Sequence, residues 1–167
     1  MEAIQQITAA ISAVPGVKLL DVDPGKATNR TVVTFVGSPE AVVEAAFQAI
    51  KKAAEVIDMS KHKGEHPRMG ATDVCPLIPI AGVTMEETVQ YAHQLAKKVG
   101  EELSIPVFTY EAAATRPERK NLADIRAGEY EALPDKLKKA EWMPDYGAPN
   151  FNAKAGATVI GARDFLV

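Results

Sequence analysis

With 167 residues, 47% of them hydrophobic and 25% charged, the chain has the composition of a folded domain with a substantial apolar core. A net charge of −3 argues against a general nucleic-acid binder, and no apolar run approaches the length of a membrane span. The lone cysteine, Cys75, excludes an internal disulfide framework or a cysteine-rich zinc module, and without a charged-then-apolar leader the expected compartment is the cytoplasm.

Ile4, Ile7, Ile11 and Val14 recur at helical spacing, so a first helix is expected over residues 2–13, stopped by Pro15 and Gly16. Residues 17–23 alternate as a strand that Pro24 and Gly25 end. The β-branched residues 31–36 give its antiparallel partner after a short loop. Asp21, Asp23, Asn29 and Arg30 flank that turn, where turn chemistry explains the aspartates and the asparagine at least as well as function does. Ser38 and Pro39 read as an N-cap and a proline at the first helical position. The helix they open should reach about Ile57, with Val43, Phe47, Ile50 and Ala54 on one stripe.

Residues 62–76 form the most informative stretch. Gly64, Pro67 and Gly70 interrupt any helix or strand there, yet the polar, titratable loop runs straight into the apolar segment 74–80. Residues 73–80 can make a strand, with Pro76 and Pro79 pointing to a sheet edge or an irregular path. Thr84 and Glu87 fit a capping box, followed by a helix that buries Val89, Ala92, Ala96, Val99 and Leu103. A strand over 105–111, helical pieces near 121–127 and 135–141, and a last strand over 158–167 complete the pattern. The order implies one domain over residues 1–167, of the α/β (α+β) type, with a mixed β-sheet and helices packed mainly on one face.

Within this frame His66 is the leading acid–base candidate. An imidazole titrates near ~6.5, so it exchanges protons at neutral pH. Pro67 restricts its backbone, and either Glu65 or Asp73 could orient the ring; the competing reading is an ordinary surface histidine. His62 and His66 are spaced like metal ligands on a helix, but Gly64 and Pro67 oppose that helix and the zinc-protease order is absent, so no metal is expected. His93, among lysines and glutamines, reads as solvated. Lys61, Lys63 and Arg68 could grip a substrate carboxylate, with Arg68 favoured for its bidentate geometry, or simply form a solvated basic face. The apolar neighbours of Cys75 mark it as a buried small hydrophobe rather than a reactive thiol. The stretch from Asp145 to Gly156 combines flexible backbone, amides and aromatic rings, which suits a flat heteroaromatic ligand or a plain surface connection.

Several stretches together carry a specific resemblance. They are Leu19-Leu20-Asp21-Val22-Asp23, Thr28-Asn29-Arg30-Thr31-Val32, Thr34-Phe35-Val36-Gly37 and Ile57-Asp58-Met59-Ser60. Gly64-Glu65-His66-Pro67-Arg68-Met69-Gly70-Ala71 runs into Asp73-Val74-Cys75-Pro76, and Ile125-Arg126-Ala127-Gly128-Glu129-Tyr130-Glu131-Ala132-Leu133 and Gly156-Ala157-Thr158-Val159 follow. Over nearly its whole length the chain resembles the N-terminal subdomain of glutamate formiminotransferase, the transferase part of formiminotransferase-cyclodeaminase.

The resemblance implies transfer of a formimino group from N-formiminoglutamate to N5 of tetrahydrofolate, releasing glutamate in histidine breakdown. It places the family's catalytic histidine on His66. It maps the folate-contacting loop onto Gly147, Ala148, Pro149, Asn150, Phe151, Asn152, Ala153, Lys154, Ala155 and Gly156. The glutamate carboxylates need cationic partners, a role open to Arg68 or Lys61. Tetrahydrofolate enters as co-substrate, with no permanently bound cofactor. Family members carry a Val-Pro-Asn-Phe-Ser-Glu-Gly strand before the first helix and a C-terminal subdomain across the folate groove. Neither is found in this chain, which leaves three alternatives open: an inactive isolated subdomain, assembly with a separately encoded C-terminal subdomain, or a compensating homodimer. The rival reading is a non-catalytic folate-binding or assembly module, inactive without that second subdomain. A third, a nucleic-acid domain using the basic loop, predicts steeply salt-dependent binding.

Overall fold

The computed structural model describes residues 2–25, 30–61 and 68–164. His62, Lys63, Gly64, Glu65, His66 and Pro67 lie outside the described residues, as do Asn29 and the end of the last expected strand, Phe165 to Val167.

Helix α1 (Glu2–Ser12) seats Ile11 in the core, 1% exposed, and packs on α2 (Pro39–Val56). Ser38 caps α2 as its side chain predicts: the hydroxyl accepts from the Ala41 N–H, and Pro39 follows at the first helical position. Between these helices, β1 (Val17–Gly25) and β2 (Arg30–Gly37) form an antiparallel hairpin running from the Val17–Gly37 pair to the Gly25–Arg30 pair. Leu19 faces Phe35 and Asp21 faces Thr34, so Leu20 is the extra residue of a bulge and stands exposed. The bulge flips the alternation of burial. Asp21 and Asp23 are therefore exposed strand residues opposite Thr34 and Val32, not turn residues. Pro24 does not end the strand either, since a two-stranded ribbon tolerates a residue without an N–H.

Strand β3 (Val74–Leu77), helix α3 (Met85–Glu102), strand β4 (Val107–Glu111) and strand β5 (Thr158–Ala162) build the second half. The strands make a parallel sheet in the order β3-β5-β4, with every residue of the central β5 buried. Such a sheet needs cover on both faces. Val107, Ile160, Ala162 and Leu77 meet α2 and α3 on one side, among Phe47, Ile50, Leu95 and Val99. Phe108, Tyr110 and Val159 meet Met69, Ile125, Leu133 and Leu137 on the other. Full burial of each such side chain contributes roughly 1.5–3 kcal/mol. Gly161 is required by this packing, because a Cβ there would lie 2.3 Å from the Tyr110 ring. The expected capping box is present, Thr84 Oγ1 accepting from the Glu87 N–H while Glu87 accepts from the Thr84 N–H.

The α/β class is borne out, with two refinements. Among the described residues the strands form two sheets, an antiparallel pair and a parallel triplet, rather than one mixed sheet. β3 is an edge strand, as its prolines suggested, and Pro76 suits a strand paired on one side only. The long helices share one side, but the parallel sheet is also covered on its other face, by α4 (Leu122–Arg126) and α5 (Glu129–Lys136). The helical piece expected over 135–141 lies earlier. Leu133 of α5 is fully buried in the second core, and this packing holds the helix through Pro134. A 3₁₀ turn at Ala140–Trp142 follows.

Candidate functional site

The described residues that flank segment 62–67 are held by hydrogen bonds on both sides. Before it, the Asp58 carboxylate accepts from the Ser60 hydroxyl (2.6 Å) and amide (3.0 Å), winding Met59–Lys61 into a 3₁₀ turn. These bonds, the hydroxyl first, hold the Asp58 carboxyl below the usual carboxylate range. Met59 is buried, and its N–H donates to the Lys154 carbonyl at 2.8 Å. Lys61 ends the turn with an exposed side chain.

After it, the chain is laced to residues 155–157. The Ala157 N–H donates to the Met69 carbonyl (3.0 Å) and the Ala71 N–H to the Ala155 carbonyl (2.8 Å). Gly70 and Gly156 pair at the centre of this contact. Neither tolerates a side chain: a Cβ on Gly70 would lie 2.2 Å from the Ala157 oxygen, and one on Gly156, at φ +70, 2.1 Å from the Met69 oxygen. Asp73 braces the same return, Oδ1 accepting from the Met69 N–H at 2.9 Å and Oδ2 from the Arg126 guanidinium. The described part of the first stretch singled out from sequence, residues 68–76, and the stretch from Asp145 to Gly156 are thus one contiguous structure.

The second stretch is rigid at its start. Asp145 accepts from the Thr109 N–H (2.8 Å), the Thr109 hydroxyl (3.1 Å) and the Thr115 hydroxyl, and pairs with Arg119 at 3.1 Å. Arg119 is fully buried beside the rings of Phe108 and Trp142, and it donates to the carbonyls of Glu141 and Met143. Tyr146 exchanges backbone bonds with Val107, and its hydroxyl lies 2.8 Å from His93 Nδ1. His93 is therefore not merely solvated; it is half-buried against the Tyr146 ring. Gly147, at φ +84, sits against Gly100 of α3, where a Cβ on Gly100 would come within 2.6 Å of the Gly147 nitrogen. Ala148, Pro149, Asn150 and Phe151 are then exposed. Asn152 closes the loop, Oδ1 accepting from the Ala155 N–H (3.0 Å) and its carbonyl from the Gly156 N–H (2.7 Å). Lys154 is exposed and donates to the Glu55 carbonyl, while Ala155 and Gly156 are buried.

Charge around the junction is paired. Arg68 donates bidentately to Glu131 (2.9 and 2.8 Å) and once to Glu129 (3.2 Å). These bonds, Glu131 first, raise the guanidinium above its ordinary pKa. A substrate carboxylate at Arg68 would have to exchange with these glutamates. Gly128 (φ 83) and Glu129 (φ 57) both adopt left-handed backbone where α5 begins beside Arg68. Tyr130 adds a link absent from the sequence reading: its N–H donates to the Arg68 carbonyl (2.9 Å) and its hydroxyl to the Ala153 carbonyl (2.6 Å). Its ring lies 5.5 Å from that of Phe151. Burial, then the Asp58 and Glu131 carboxylates, push the phenol's pKa up, so it stays a donor. Arg119, Arg126 and Tyr130 escaped sequence reasoning because their partners lie far along the chain. Arg126 and Tyr130 do fall in the 125–133 stretch that carries the family resemblance, whereas nothing near Arg119 marked it.

Cys75 is partly rather than fully buried, packed against the first core, and desolvation there pushes its thiol up to about 12. Among the described residues no group of three or more His, Cys, Asp and Glu side chains is arranged to hold a metal ion, and no helix is long and apolar enough to cross a membrane. Two hollows lie outside the junction. An open groove of about 440 Å³ is lined by Val89, Gln90, His93, Gln94, Lys97 and Tyr146. A smaller one of about 210 Å³ lies against Trp142 and Lys136, whose ammonium is pushed down to about 8, mainly by burial.

Residues 1–163 match the family model described as the formiminotransferase domain, N-terminal subdomain. The formimidoyltransferase-cyclodeaminase of Mus musculus is 60% identical over 166 residues, covering 99% of this chain and 31% of that protein. The glutamate formimidoyltransferase of Streptococcus pyogenes serotype M1 is 50% identical over 164 residues, covering 98% of this chain and 55% of that protein. That of Thermoplasma acidophilum is 49% identical over 168 residues, covering 99% and 55%. The chain thus spans about a third of the length of the bifunctional relative and just over half that of the transferases.

Proposed function

Because the chain belongs to the formiminotransferase N-terminal subdomain family, we propose that it acts in transfer of a formimino group from N-formiminoglutamate to N5 of tetrahydrofolate, giving 5-formiminotetrahydrofolate and glutamate. The observation that supports this reading is the hydrogen-bonded junction of residues 68–71 with 155–157, which sets the return from the His66 segment against the glycine-bounded loop. One ligand surface can then draw on both.

In this reading His66 is the general acid and base. The lone pair of N5 attacks the formimino carbon, and the N5 proton passes to the neutral imidazole. The C–N bond to glutamate then breaks, and the imidazolium returns the proton to the departing nitrogen. Such transfer contributes roughly 10²–10⁴ in rate, so holding two substrates in register must supply the rest. No oxidation state changes, which leaves a redox group without a task. The loop from Gly147 to Gly156 is read as the folate contact, with Phe151 for stacking and the exposed residues Ala148 to Asn150 for edge hydrogen bonds. Lys61, exposed at the end of its turn, is the readier partner for a substrate carboxylate, and Arg68 serves by exchange with Glu129 and Glu131.

A coupled assay for 5-formiminotetrahydrofolate tests the reading. The His66→Ala variant should lose most turnover with the fold intact, and unchanged turnover in it removes the proposed role. Folate binding without turnover by the unaltered chain would instead support a non-catalytic module that works with a second copy or a separately encoded subdomain.

A further inference from the structure

We infer that Tyr130 is a positioning residue for the folate contact, clamping the loop to the chain that returns from the His66 segment; this rests on the folate reading above. The clamp has two ends. The backbone N–H of Tyr130 donates to the Arg68 carbonyl at 2.9 Å, and the phenol donates to the Ala153 carbonyl at 2.6 Å. The ring between them packs at 5.5 Å and 51° on Phe151, which keeps 37% of its surface exposed. The Arg68 guanidinium lies 5.9 Å from the centre of the Tyr130 ring. One side chain therefore fixes the orientation of the loop's exposed aromatic ring relative to the residue that follows the His66 segment.

Backbone bonds also hold residues 152–155, from the Met59 N–H to the Lys154 carbonyl at 2.8 Å and from the Gly156 N–H to the Asn152 carbonyl at 2.7 Å, but they do not bear on the Phe151 ring, against which Tyr130 packs. Asn152 reaches the Ser104 carbonyl at 3.4 Å, and Lys154 reaches Glu55 through an exposed, flexible stem. A flat pteridine stacking on Phe151 needs the ring held before it binds, since ordering a loop on binding weakens affinity. The phenol bond to the Ala153 carbonyl supplies that order.

The test compares the unaltered chain, Tyr130→Phe and Tyr91→Phe. Tyr91 is a control, because its hydroxyl meets Glu40 on α2, away from the junction. Tetrahydrofolate, kept reduced under anaerobic conditions, is titrated by calorimetry. Thermal unfolding and amide exchange over residues 147–157 are followed in parallel. Expected is a dissociation constant raised about fivefold to tenfold in Tyr130→Phe, the size of one lost hydrogen bond, with faster exchange in that stretch and no change in Tyr91→Phe. Equal affinity in the unaltered chain and Tyr130→Phe overturns the inference and leaves the folate reading standing, even if Tm falls. Equal weakening in both variants overturns it too, since a general loss of structure would then suffice. No binding by the unaltered chain removes the folate reading, and this inference with it.

Discussion

At Gly156 the chain passes another strand of backbone with no room for a side chain. Its φ of +70 and the 2.1 Å approach that a Cβ would make to the Met69 oxygen leave alanine two ways to fail. Left-handed backbone and steric overlap together should cost Gly156→Ala more than about 2 kcal/mol. Thermal unfolding should show the loss, and a Tm within a degree of the unaltered chain would contradict the packing. Cys75 illustrates the opposite case, a reactive group made inert by its surroundings. Its thiol is pushed up to about 12 by burial alone, so about one molecule in 10⁴ carries the thiolate at pH 8. Alkylation of the folded protein should accordingly be slow at pH 8 and speed up roughly tenfold per pH unit while the fold persists. Rapid labelling at neutral pH, without unfolding, would show that the thiol is open to solvent.

Elements meet at this site through buried charge. Asp145 ties β4, through Thr109, to Arg119 and so to the segment that leads into the glycine-bounded loop. Removing one partner strands the other without water, so Asp145→Ala should destabilise the protein by about 3–5 kcal/mol. Adding Arg119→Met should recover part of that loss, because the stranded cation is gone. Denaturant unfolding of the two single variants and the double variant measures this coupling; simple additivity would argue against a paired role. The elements most legible in sequence were those whose signals are local. Ser38 with Pro39, and Thr84 with Glu87, announce α2 and α3 from adjacent side chains. The helical piece expected over 135–141 lies earlier, as α5, because the pull of Leu133 into the second core is visible only once the chain has folded. The site followed the same rule. Glycines and aromatic residues marked the loop, while the Arg68–Glu131 and Asp73–Arg126 pairs join residues too distant in sequence for any spacing to reveal.

For the whole molecule, alternation and helical period foretold strands and helices but not their grouping. Whether a hairpin joins a parallel sheet depends on edges, and an edge is a property of the assembled chain. Here β1 and β2 pair only with each other among the described residues, and the hairpin rests on α1 and α2. β5, in contrast, is paired on both sides and buried between two cores. The two sheets should therefore differ in local stability even though α2 packs against both the hairpin and α3. Amides of Val159 and Ile160 should exchange only when the entire chain unfolds. Those of the hairpin, with Leu20 and Val32 exposed, should exchange through smaller openings at a lower free energy. Native-state hydrogen exchange in low denaturant separates the two: hairpin amides should show little denaturant dependence, and β5 amides the full slope of global unfolding. Identical slopes would mean that the helices bind both sheets into one cooperative unit.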